Sequence, residues 1–381
     1  MPTVYIGRCR SYALEEVQGA VQQAVAALGG LGRFVRPGMR VLIKPNLLLA
    51  KAPDTAIDTH PALVQVVAQM VREAGAEATI ADSSGGGTGF NPRSLRALYR
   101  ISGMDLAAGA SGAILNEDCD SVSVPCPNGR LVRMLDIMRA ATRADVIINL
   151  PKLKTHGLLR YTGAVKNLFG LIPGRVKLSY HSKLQDTERF ADMLLDLGAW
   201  ARPALNIMDA IVAMEGEGPA AGRPRELGLL LASDDANALD LAALDLIRLD
   251  PQTVPTIRMA QRRGLLAAEV SDLQMTGIGL AAARVKDFHV PMAGSPSVLL
   301  GPPGLKRWLE RRLVARPQAG PACTGCGVCA ENCPVGAITI ANRRAHMNMD
   351  VCIRCYCCHE LCPQHAVALK RIPLAGLIAR I

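Results

Sequence analysis

Eight cysteines, in two runs, carry the plainest chemistry in this 381-residue chain. The first run is Cys323-x2-Cys326-x2-Cys329-x3-Cys333-Pro334 and the second is Cys352-x2-Cys355-x2-Cys358-x3-Cys362-Pro363, each cysteine lying 29 residues after its counterpart. The segments after the two prolines, Val335–Ile340 and Gln364–Leu369, also correspond, so the stretch is an internal duplication. Two-residue gaps let three thiolates converge on one side of a compact loop, and the three-residue step carries the fourth into the neighbouring site. The spacing therefore predicts two [4Fe–4S] clusters. One is held by Cys323, Cys326, Cys329 and Cys362, the other by Cys352, Cys355, Cys358 and Cys333. Structural zinc knuckles usually lack the third closely spaced thiol and the Cys-Pro ending, and a disulfide framework needs an oxidising compartment. Cys357 aligns with Val328 and reads as a small buried filler beside a cluster, while Cys9, Cys119 and Cys126 read as ordinary core or loop thiols.

A second set of chemistry-bearing residues lies upstream. Only ten of the 43 basic residues are lysines, yet five of the ten fall between 152 and 183: Lys152, Lys154, Lys166, Lys177 and Lys183. An ammonium group is a compact charge whose pKa responds to burial, unlike a guanidinium, so the grouping points to specific work. On an extended chain Lys152, Lys154 and His156 project to one side. Such a wall would attract an anion and keep the imidazole neutral near pH 7, able to accept a proton, with lysine as a donor. His60 and His181 are further candidates for proton transfer. Lys44, Asn46, Asp82, Ser83, Ser84, Gly85, Gly86, Lys166 and Asn167 form a candidate anion-binding set. The run Asp82–Gly89 could cradle an anion with backbone N–H groups or serve only as a strand-to-helix turn, and it lacks the Gly-Lys-Ser/Thr ending of a Walker loop. The three histidines with Asp82 or Asp209 are an alternative metal site, without the close i,i+4 spacing that would mark one. Glu215 and Glu217 read as loop carboxylates.

These residues must be positioned by elements, and the pattern is of the α/β kind. Apolar runs predict strands at Thr3–Ile6, Met39–Ile43, Ala76–Ala81, Asp145–Leu150, Ala204–Met208 and Leu227–Ala232. Helical periodicity falls between them at Glu15–Leu28, Pro61–Ala74, Pro92–Ile101, Thr187–Trp200 and Asn237–Leu249, with Thr59 a candidate cap for the second helix. The expected fold is α/β, a largely parallel sheet covered by helices, with a small C-terminal two-[4Fe–4S] ferredoxin-like domain. Ligands of such sheets sit beyond the carboxyl ends of the strands, where most of the polar candidates fall. The expected organisation is an α/β domain at 1–290 and a Pro/Gly-rich linker with a short helix, Leu305–Leu313, at 291–319. A cluster domain at 320–371 and a short apolar tail at 372–381 complete it.

The formal charge of +10 favours an anionic partner. Aromatic residues make up only 3% of the chain, poor material for stacking bases, so no nucleic acid is expected. No apolar run reaches the ~18 residues of a membrane span, and the start lacks the order of a signal peptide. The expected compartment is the cytoplasm.

The motifs KPNLL, THP, DSSGG, LPKLKTH, TGAVKNLFG and MDAI…MEGEGP, in that order, resemble the family catalogued as domain of unknown function 362, over about residues 1–290. Several of its members resemble this chain in carrying a C-terminal ferredoxin module. Residues 320–371 in turn resemble bacterial two-cluster ferredoxins, and a likeness extends to the amino-terminal domain of nickel-pincer lactate racemases. The family resemblance implies an iron–sulfur protein of undefined activity. The expected function is a redox enzyme relaying electrons to a small anionic substrate or bound cofactor in the α/β domain. The alternatives are an electron-transfer subunit or maturation factor whose client is a redox partner protein, and a non-redox enzyme with structural clusters. Fusion of the modules favours the first, because a tether raises the effective concentration of donor near acceptor.

Overall fold

The computed structural model describes residues 1–85, 90–291 and 314–370. Its strands are β1 Thr3–Arg8, β2 Arg40–Pro45, β3 Glu77–Ile80, β4 Ile114–Leu115, β5 Ser121–Pro125, β6 Met134–Met138, β7 Val146–Leu150 and β8 Lys152–His156. They continue with β9 Arg160–Thr162, β10 Leu205–Glu215, β11 Arg223–Ser233, β12 Gln274–Gly277, β13 Arg316–Ala319, β14 Ile338–Ala341, β15 Arg344–Met347 and β16 Val367–Lys370. Ten of them form one sheet in the order β12-β1-β11-β10-β7-β2-β3-β4, with β8 paired to β10 and β9 to β8. The sheet is largely parallel, as expected; the reversed members are β11, antiparallel to β1 and β10, and β9, antiparallel to β8.

Both faces are covered, which is why the central strands are continuously apolar rather than alternating. Val41 and Ile43 of β2 pack into a core with the helices Leu14–Ala27, Pro61–Glu73 and Pro92–Ile101. Leu42 points the other way, into a core with the helix Thr187–Ala201. A third core joins Met208 and Ala210 of β10 to the helix Ala236–Leu246.

Two local expectations are corrected, and one extended stretch is defined. The strand expected at Ala204–Met208 runs on to Glu215; its later carboxylates are buried because Asp209 pairs with Lys152 and Glu215 with Arg223. The helix at Pro61 is capped by His60, whose Nδ1 accepts from Ala62 N at 3.2 Å. Thr59 instead ties two strand ends together: its Oγ1 donates to Leu150 O at 2.7 Å and accepts from Asn46 N at 2.8 Å. The polar run Lys152–His156 is a strand, all five residues buried, pairing with β10 at Asp209 and Met214.

The duplication folds as two matched halves. β13 pairs antiparallel with β16, and β14 with β15, while the short helices Val328–Glu331 and Cys357–Glu360 carry cysteines of each run. Gly325, Gly327 and Gly336 take left-handed backbone conformations, and so do Arg354, Tyr356 and His365, 29 residues later. The same chain path is thus kept even where the second copy has side chains. β13 falls within the stretch expected as linker, so residues 316–319 are part of the sheet of this module. The helix Leu305–Leu313 and the tail 372–381 lie outside the described residues. Among the described residues no helix is long and apolar enough to cross a membrane.

Candidate functional site

Strands β2, β3 and β7 are parallel neighbours, and the segments leaving their carboxyl ends enclose a chamber of about 70 Å³. Hydrogen bonds lock these exits together. Leu47 N donates to Asp82 Oδ2 at 2.7 Å, and Ser83 Oγ lies 2.7 Å from the carbonyls of both Gly170 and Ile172. Lys44 sits behind the wall rather than on it, fully buried, with its Nζ 3.0 Å from Asp82 Oδ1 and donating to Pro45 O. Gly170 presses against that pair, where a Cβ would collide with Asp82 Oδ1.

β8 delivers two of its side chains to the chamber. Lys154 Nζ donates to Asn46 Oδ1 and Ile57 O, both at 2.6 Å. Burial pushes its pKa down and that of the neighbouring Asp58 up, while the opposite charge of each partly offsets the other's shift. Burial also holds His156 well below the ordinary histidine value, so it is neutral. Its Nδ1 accepts from the backbone N–H groups of Leu158 and Leu159 at 3.1 and 3.2 Å. The remaining proton of a neutral ring is therefore on Nε2, 3.4 Å from Glu360 Oε1. The expected proton acceptor is thus a donor, because its acceptor nitrogen is already occupied.

The helix Gly174–Lys183 adds Lys177 and His181. Lys177 Nζ donates to Ser83 O and, at 3.0 Å, to Ser84 O, and burial lowers its pKa to about 7. His181 stacks on Phe190, and burial lowers it to about 3. Lys166 and Asn167 arrive on the turn Ala164–Asn167, whose first N–H groups are held by Asp240: Ala164 N at 2.6 Å and Val165 N at 3.0 Å. Gly163 is needed there, since a Cβ would strike Asp240 Oδ1.

Of the expected residues, Asn46, Asp82, Ser83, Gly85, Lys154, His156, Lys166, Asn167 and His181 meet at the chamber. Ser84 contributes only its carbonyl to Lys177, and Gly86 lies outside the described residues. Lys152 and His60 belong elsewhere. The Lys152 ammonium is consumed by Asp209 Oδ2 at 2.8 Å and the Tyr12 hydroxyl at 2.9 Å. His60 stacks on Tyr12 with ring centroids 3.6 Å apart, beside a separate cleft. Asp209 therefore sits with His60, apart from His156 and His181, and the four do not assemble as metal ligands. Glu215 is buried against Arg223, and Glu217 offers its carbonyl to His359 at 3.2 Å.

Three chamber residues, Cys357, Glu360 and Leu361, come from the cluster module, and sequence reasoning missed their role. Cys357 is buried two residues from the ligand Cys355, as expected, and also borders the chamber. A signal existed for Cys357, the one cysteine that breaks the repeat. None existed for Glu360, whose repeat partner Glu331 is exposed while Glu360 is buried.

The cysteines fit iron–sulfur ligation. Cys323, Cys326, Cys329 and Cys362 line one small cavity. Backbone N–H groups point at thiol sulfurs of both runs: Ala345 at Cys323 (3.4 Å), Ala366 at Cys362 (3.2 Å), Ala337 at Cys333 (3.2 Å) and Arg354 at Cys352 (3.4 Å). Such donors stabilise thiolate ligands and set cluster potentials. Among the described residues no three His, Cys, Asp or Glu side chains are placed to hold a single metal ion.

Comparison with known proteins agrees with both halves. Residues 41–245 match the family described as domain of unknown function (DUF362), and residues 318–363 match the 4Fe-4S dicluster domain. The thylakoid-associated protein sll1697 of Synechocystis is 39% identical over 274 residues, 71% of this chain and 82% of that protein. One component of an ion-translocating oxidoreductase complex from Methanosarcina acetivorans is 38% identical over 48 residues, 13% of this chain and 18% of that one. Among solved structures, the lactate racemase apoprotein of Thermoanaerobacterium thermosaccharolyticum aligns with a TM-score of 0.39 and 15% identity, covering 61% of this chain and 54% of that one. The C-terminal module is thus a 4Fe–4S ferredoxin-type domain suited to electron transfer.

Proposed function

The chain belongs to the DUF362 family, and on that premise we propose that it is a cytoplasmic oxidoreductase that reduces a small anion held in the chamber. The observation that carries this reading is that one chamber is walled by both modules: Lys154, His156, Lys166 and His181 from the α/β domain, and Cys357 and Glu360 from the ferredoxin-type domain. Two [4Fe–4S] clusters, held by Cys323, Cys326, Cys329 and Cys362 and by Cys352, Cys355, Cys358 and Cys333, supply single electrons when bound.

The residues of this chain do the rest. Ammonium groups attract and orient the anion, enclosure strengthens that attraction by excluding water, and protons come from within. A two-electron, two-proton reduction draws its protons from Lys154 and Lys177, whose pKa values burial lowers, while the His156 Nε2–H group hydrogen-bonds the oxygen being reduced. The electrons originate from a redox partner protein.

The test is anaerobic reoxidation of dithionite-reduced protein by a panel of small oxidised anions. Lys154→Ala should weaken anion binding and His156→Ala should slow the step at saturating anion, about 10²-fold or more for a lost hydrogen bond to the developing oxyanion, with iron content unchanged. If an anion reoxidises the protein and both variants match the wild type, the chamber is not the site. The alternative of an electron-transfer subunit or maturation factor docking on a client protein would then be favoured.

A further inference from the structure

The unmet hydrogen-bonding groups of the chamber describe the molecule that fits it. Lys154 and Lys177 spend their ammonium groups on protein oxygens. The Lys166 ammonium, among the described residues, has neither a hydrogen bond nor an ion pair. It lies 4.4 Å from the ring centroid of Phe169 and 5.8 Å from that of Phe190. This ammonium faces the chamber with the Glu360 carboxylate as its main opposite charge, and a ligand's anionic oxygen would give it the charge-assisted hydrogen bond it lacks.

Asn167, the next residue, has the opposite deficit. Its Nδ2 donates to Lys44 O at 3.2 Å and Asn149 Oδ1 at 2.8 Å, which fixes the orientation of the amide. Its Oδ1 is left buried without a hydrogen bond, as is Glu360 Oε1 on the opposite wall. An occupant that satisfies the chamber therefore brings an anionic oxygen for Lys166 and a hydrogen-bond donor for Asn167. The three lysines Lys154, Lys166 and Lys177 outnumber the Glu360 carboxylate on the walls, which disfavours an ammonium donor and leaves a hydroxyl. At about 70 Å³, the enclosure is far below the ~300–1,000 Å³ of pockets for drug-sized ligands and cofactors, so flavins and nucleotides do not fit.

We infer that the chamber binds a small hydroxycarboxylate, its carboxylate on Lys166 and its hydroxyl donating to Asn167 Oδ1. The inference rests on the reading of the chamber as the redox site, but binding alone tests it, so the two can fail separately.

The probes are glycolate, acetate and glycine, titrated calorimetrically into oxidised wild-type protein and Lys166→Met under anaerobic conditions. Acetate differs from glycolate by one hydroxyl, so this arm needs no variant. Glycolate should bind at least about tenfold tighter than acetate or glycine, in line with sites built to pair a ligand hydroxyl. Lys166→Met, with its iron content intact, should lose at least about tenfold in glycolate affinity. Acetate or glycine binding as well as glycolate, no glycolate binding to the wild type, or unchanged affinity in Lys166→Met would each overturn the inference. Glycolate binding as expected, with no small anion able to reoxidise the reduced protein, would leave the inference standing and remove the redox reading.

Discussion

Cys362 is the residue on which the sharing of thiols between the two loops can be read. It lines a cavity with Cys323, Cys326 and Cys329 although it belongs to the other run. Cys362→Ser should lower iron from about eight toward about four per chain. Adding Cys326→Ser to it should cost no further iron, whereas adding Cys355→Ser should remove the rest. The reverse pattern, read by iron analysis and EPR, would mean that each loop keeps its own four ligands. Cysteine spacing is legible because a compact loop fixes it locally. The lysines and histidines were legible only as a group, because their roles depend on distant partners. Asp209, 57 residues away, removes Lys152 from the site, and two backbone N–H groups turn His156 from acceptor to donor.

At the scale of elements, the sheet could be read from its apolar runs, since strands buried on both faces announce themselves. β8 could be read as extended but not as buried. Its burial depends on partners the sequence does not announce, Asp209 for the Lys152 ammonium and Asn46 for that of Lys154. The turn bearing Lys166 and Asn167 likewise depends on a carboxylate far along the chain. Asp240 is buried and accepts from Ala164 N, Val165 N and the Tyr161 hydroxyl. Asp240→Ala strands these donors and should destabilise the protein by about 3 kcal/mol. It should also weaken glycolate binding, because the two chamber residues on that turn lose their anchor. Anaerobic urea unfolding and calorimetry check both, and stability within about 0.5 kcal/mol of wild type would show that the turn stands without its cap.

At the scale of the whole molecule, the fusion was legible but the docking face was not. Repeat symmetry treats Cys357 as equivalent to Val328 and Glu360 as equivalent to Glu331. Only packing against the α/β sheet makes the second copy different, through His156 with Glu360, Glu217 O with His359, and Lys51 with Pro363 O. The central claim is that the ferredoxin-type module and the chamber form one unit, joined where Cys357, two residues from the ligand Cys355, lines the chamber. An EPR-monitored redox titration of wild type and Cys357→Ala, with and without glycolate, tests this directly. Hydrogen bonds to ligand sulfur help set a cluster's potential. Replacing the buried thiol beside Cys355 should move one cluster's midpoint and leave the other in place, with iron content unchanged, and glycolate should perturb the signal of that same cluster. Two unmoved midpoints and signals indifferent to glycolate would contradict the account.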